Sequence, residues 1–304
     1  MKHEYIRNQK HQFPEHIQRA LDDMRASRMD ALAQWHRVAI ESRPTAEERQ
    51  QLKALLGESF RVDESAARRL ETSYRDRVGT IEWKDFTAPF TPVDNAPDPR
   101  MADFWWAQTF PFNSSGVITP AFQTDGLHFF GQVPYNSDPL FPFSVGAWAR
   151  FELQPERRPP SASGRYNSSP HVELFGNITG WTNLKHCPWL CDDKWCKCFL
   201  FLRQSAIQFV DDIGTWRLCG ETTSHRTLIN EEGNGRTVVA PLPGFLPMPF
   251  LQFGLLRPDR SVLIDLEVRF DVQLEGDSFI SFSPENNPAG SVLLRYFQWP
   301  CVAA

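Results

Sequence analysis

SVLIDLEVRFDVQLEG, residues 261–276, permits few folds. Val262, Ile264, Leu266, Val268, Phe270, Val272 and Leu274 share one side of an extended chain, and Asp265, Glu267, Arg269, Asp271 and Gln273 share the other. A period of two over so many residues describes an antiparallel strand with one buried face and one face in water. FSVGAWARFELQP repeats the pattern, with Val145, Ala147, Ala149, Phe151 and Leu153 inward. LHFFGQV, HVELF, FLFLRQ, AIQFV, TWRL, RTVVA, FLQFGLL and SVLLRYFQW read as further strands. DG at 125–126, PLPG at 241–244 and NNPAG at 286–290 separate them as turns. Gly276-Asp277-Ser278 faintly resembles a hydrolase nucleophile triplet, but it follows a long strand at a hairpin position and reads as another turn. No helical period intervenes, so a parallel α/β sheet is unsupported. The expected fold is mainly β: a large antiparallel β-sandwich of jelly-roll type, with a closed barrel as the second choice.

The beginning of the chain has a different chemistry. Residues 1–80 hold 15 Lys+Arg and 13 Asp+Glu but 2 of the 24 prolines, whereas the remaining 224 residues hold 17, 24 and 22. Charge-dense, proline-poor sequence favours helix. Ile17, Leu21, Met24, Leu32, Trp35 and Val38 draw one apolar stripe, interrupted by Arg28. Thr45-Ala-Glu-Glu48 is a capping box for a second helix that Gly57 can end. Asp63 can cap a third, with Ala67, Leu70, Tyr74 and Val78 on one face. The expected organisation is a helical segment at 1–80, a Pro/aromatic-rich connector at 81–114 and the sandwich at 115–304.

Composition also excludes function classes. A net charge of -5 with no Lys/Arg run argues against a nucleic-acid partner. No stretch approaches the roughly 20 apolar residues of a membrane span. MKHEYIRNQKHQFPEH has no apolar core and is not a secretory signal, so the cytoplasm is the expected location, with leaderless export or a particle as alternatives. GxSxG, HExxH, P-loop, GxGxxG and HxH patterns do not occur.

HCPWLCDDKWCKC, residues 186–198, concentrates four of the six cysteines. Three readings are open. Cys196 and Cys198 alternate with Leu200 and Leu202, as small core residues of a strand do. A disulfide from Cys187 or Cys191 to either of them needs an oxidising compartment. A zinc site would use His186, Cys187, Cys191 and Cys196 or Cys198, although Cys-x3-Cys-x4-Cys-x-Cys lacks paired CxxC knuckles. Asp192, Asp193, Asp211 and Asp212 flank FLFLRQSAIQFV. If that segment is a hairpin, both pairs reach one end of the sandwich and offer calcium its oxygens. FWWAQTFPF, residues 104–112, is the other concentration. Trp105 and Trp106 read either as a plug beneath the helical segment or as a stacking platform for a sugar or an apolar partner.

The leading functional expectation is recognition or assembly without catalysis, with aromatic and acidic loops presented to a protein or glycan and homo-oligomers allowed. The alternative is a hydrolase or metal-dependent enzyme built from distant residues such as His171, His186, Asp192 and Asp211. A toxin-like or capsid-like self-assembling protein is a third class with the same architecture.

Overall fold

The computed structural model describes residues 15–41, 101–105, 108–113, 118–122, 126–182, 194–211, 215–232, 236–282 and 292–304. In chain order these form helix α1 (Glu15–Glu41) and strands β1 (Met101–Trp105), β2 (Gln108–Asn113), β3 (Thr119–Phe122), β4 (Leu127–Phe130), β5 (Gln132–Leu153), β6 (Arg165–Ser168), β7 (His171–Phe175), β8 (Asn177–Thr182), β9 (Trp195–Phe209), β10 (Trp216–Glu232), β11 (Thr237–Pro241), β12 (Gly244–Pro247), β13 (Leu251–Gly254), β14 (Val262–Ser281) and β15 (Val292–Ala303). The second and third helix signals lie outside the described residues.

The strands make two antiparallel sheets, as the alternating pattern predicts. One runs β10-β9-β14-β5-β2, with β8 pairing both β14 and β11. The other runs β12-β7-β15-β4-β3, with β1 and β6 also on β15 and β13 on β6. The aromatic run is divided between them. β1 pairs with β15 and β2 with β5, so the chain changes sheets across residues 106–107. Paired strands therefore begin inside the stretch expected to be a connector.

The core is what the inward sets predict. Val262, Ile264, Leu266, Val268, Phe270, Val272 and Leu274 are all fully buried, facing Phe129, Phe282, Phe297 and Trp299. A fully buried side chain of this class contributes about 1.5–3 kcal/mol. One polar link crosses the interior. With its amide turned to suit its neighbours, Gln204 of β9 accepts from Trp299 Nε1 at 2.9 Å and from Ser168 Oγ at 2.8 Å, and donates to Pro249 O at 3.1 Å. Cys196 and Cys198 are core thiols among the same residues. Cys196 packs where β8 has Gly180, at which an added Cβ would lie 2.7 Å from its sulfur.

Four expectations need correction. FLFLRQ and AIQFV are one unbroken strand, β9, so the hairpin that would gather Asp192, Asp193, Asp211 and Asp212 does not form. TWRL, expected as a short strand, is the start of β10, which runs on through His225 to Glu232 and pairs with β9. Gly276 is a bulge, not a turn: at φ 67° it shifts the register after Leu274 and β14 continues to Ser281. The fourth correction concerns the face of β14 expected in water. Asp265, Glu267 and Asp271 are buried there, because α1 lies across that face.

Candidate functional site

The stripe on α1 explains how the helix docks. Leu21 and Met24 pack on Ile207, Phe209 and Leu263, and Leu32 packs on Trp148. Trp148 is on the outer face of β5 opposite Glu267, and α1 makes it fully buried. Arg28 breaks the stripe for a reason the sequence alone does not supply. It pairs with Asp265, which is 1% exposed on β14. Arg150 Nε reaches the other carboxylate oxygen at 3.1 Å. Burial alone would raise Asp265, but Arg28, Arg150 and Arg203 outweigh it and hold the carboxyl below its usual range.

The ionic layer continues along β14. Arg203 Nη2 lies 2.5 Å from Glu267 Oε2, and Arg269 bridges Glu267 at 2.9 Å and Asp271 at 2.8 Å. Ser144 Oγ donates to Asp271 at 2.6 Å and sits 3.1 Å from His36 Nε2 of α1. Burial lowers the His36 pKa; Asp271 opposes that and Arg269 adds to it. The Arg269 guanidinium lies 4.1 Å from the Phe201 ring centre, and Phe201 stacks with His225 at 6.2 Å.

Between α1 and β10 the same face opens into two clefts of about 600 and 540 Å3. The helix wall is one ridge at i, i+4 spacing: Arg19, Asp23, Ser27, Ala31 and Trp35. The floor is alternate residues of β9: Phe199, Phe201, Arg203, Ser205 and Ile207. The far wall is β10, through Trp216, Leu218, Glu221 and His225. Trp35 and Trp216 are each 40% exposed.

The residues singled out in the sequence fall elsewhere. Trp105 ends β1 on the other sheet, and Trp106 lies outside the described residues, as do His186, Cys187, Cys191, Asp192, Asp193 and Asp212. Asp211 Oδ1 accepts from Thr215 N at 2.9 Å at the end of β9. His171 stacks on Phe245 at 4.5 Å in the eight-stranded sheet. Cys196 Sγ donates to Phe279 O at 3.3 Å, and burial pushes its pKa up to about 12. Cys196, Cys198, Cys219 and Cys301 carry free thiols, and Cys219 and Cys301 belong to different sheets. Among the described residues no cluster of three His, Cys, Asp or Glu side chains is arranged to hold a metal. No described helix is long and apolar enough to cross a membrane. The groove residues were missed because they come from α1, β9 and β10, and no local motif joins them. The available signal was the second, outward set of β9, Phe199, Phe201 and Arg203, which is too aromatic for a wet face.

No protein-family model matches the chain, and no curated protein matches it. Among solved structures, the chain is similar to the carbohydrate-binding module TmCBM61 in complex with beta-1,4-galactotriose. That match covers 64% of this chain and 88% of that one at 6% identity, with a TM-score of 0.19. A structure of infectious bursal disease virus, Gt strain, is similar over 70% of this chain and 46% of that one at 9% identity, with a TM-score of 0.10. At these scores neither likeness bears on function.

Proposed function

We propose that the protein is a recognition module that binds a glycan, without catalysis, in the groove between α1 and β10. The observation that carries this reading is the pairing of open aromatic faces with charges that are already matched. Trp35, His225 and Trp216 offer flat rings, which suit the apolar face of a sugar, and Phe201 lies in the floor with Arg269 over its ring. Around them Glu267 and Asp271 are held by Arg203 and Arg269, so the groove offers directed hydrogen-bonding groups without a strong net field. Carboxylates already committed to guanidinium partners are placed to orient a bound ligand. The test is a glycan array followed by calorimetric titration of the strongest ligands. Trp216→Ala and His225→Ala are expected to weaken binding about tenfold each, the value of one well-placed ring contact. Unchanged affinity in both variants moves the site away from the groove. No binding to any glycan rejects the reading and favours a protein partner.

A further inference from the structure

The two clefts are parts of one trough, and its shape restricts the ligand. This inference rests on the glycan reading above. The clefts share Arg28, Ala31 and Arg203, so they meet at a waist. The wall and floor run side by side: the Arg19 end of the helix ridge faces Ile207, and the Trp35 end faces Phe199. From Arg19 to Trp35 the helix rises about 24 Å at 1.5 Å per residue. From Phe199 to Ile207 the strand advances about 26 Å at roughly 3.3 Å per residue. The agreement means that the helix ridge and the strand floor run alongside each other over the same distance. A half-exposed tryptophan stands at each end, Trp216 in one cleft and Trp35 in the other.

We infer that the ligand is a linear, neutral oligosaccharide lying lengthwise in this trough, with one stacking subsite at Trp216 and another at Trp35 and His225. Linearity follows from the length and the two separated ring positions. Neutrality follows from the charge balance at the waist, where the Arg28 cation faces the Asp265 carboxylate and the Arg203 cation faces Glu267, so no net positive charge is offered to an anionic group. A short sugar fills one cleft, and only a longer chain reaches both.

The experiment titrates linear β-1,4-linked oligosaccharides of glucose, galactose, xylose and mannose, from disaccharide to hexasaccharide, against the full chain. Affinity for the preferred series is expected to rise at least about tenfold with length, one added ring contact. Trp35→Ala and Trp216→Ala are each expected to remove that gain. Ala31→Trp places a bulky group at the waist and is expected to weaken the hexasaccharide more than the disaccharide, so that the gain with length shrinks. Thermal melts confirm that these exposed positions leave the fold intact. Equal affinity for short and long chains, or loss of the length effect in only one tryptophan variant, overturns the linear trough while the glycan reading stands. Tighter binding of uronate-containing or sulfated chains overturns neutrality. Failure of every saccharide removes the glycan reading and this inference with it.

Discussion

Asp265 is enclosed by Arg28 on one carboxylate oxygen and Arg150 on the other, and Arg150 is itself buried. Asp265→Ala leaves the buried Arg150 without its carboxylate and takes the ion-pair partner from Arg28, and is expected to cost about 3–5 kcal/mol in urea melts. Val268→Asp on the opposite face puts an unpaired charge in the apolar core and is expected to be similarly severe. Losses of comparable size from the two faces are the signature of a strand covered on both sides. Arg269→Ala, which a wet face would tolerate, is expected to cost about 1–3 kcal/mol, since Glu267 and Asp271 lose a charged partner. The thiols give an independent reading of burial. Burial raises the pKa of Cys198 and pushes Cys301 up to about 12, as it does Cys196, while Cys219 is only half-buried. Thiol labelling of the native protein at pH 8 is therefore expected to modify Cys219 before Cys196, Cys198 or Cys301, which react fully only on unfolding. The fate of Cys196 and Cys198 was legible in their alternation with Leu200 and Leu202. The role of Arg28 was not, because its partner is more than 200 residues away and a charge in a stripe looks like a defect until that partner is known.

Docking of α1 brings a titratable group with it. His36 faces Ser144, Asp271 and Arg269, and its pKa is lowered from 6.5, first by burial. A docked histidine that holds its proton less tightly than a free one favours docking in the neutral form. The stabilisation is present above pH 6.5, weakens as the pH falls past that value, and is gone below the lower docked pKa. Asp265 has its own window, because a depressed carboxyl loses its contribution only as the pH falls below 3.8. Amide exchange of residues 15–41, corrected for intrinsic rates, is expected to speed up between pH 7.5 and 5.5, and His36→Gln should remove that change. A pH-independent protection pattern in the native chain would show that His36 keeps its proton state on docking. At this scale the strands with two-residue periods were readable, and so was the start of α1's stripe. β10 was readable only at its start, TWRL, because beyond it the outward Glu221, Thr223, His225 and Thr227 are an exposed edge that resembles a loop in composition.

The sandwich and its helix depend on each other unequally. A fragment of residues 101–304 keeps the strand pairings but uncovers Trp148, Ile207, Leu263 and the acid layer. It is expected to give a strand-dominated circular dichroism spectrum, a lower melting temperature than the full chain and binding of a hydrophobic dye. A helix-dominated spectrum would overturn the architecture, and an unchanged melting temperature would mean that α1 adds nothing to the sheet. Two-sheet architecture was legible because alternation reports the inner faces directly. The burial of the outer face was not, since only tertiary contact distinguishes a solvated acid from one under a helix. The order of the strands has a further consequence for biosynthesis. β15 holds β1, β4, β6 and β7 together, yet it follows all of them in the chain. During translation those strands leave the ribosome with their shared partner still unmade, so half of the sandwich waits as open edges for β15 to arrive.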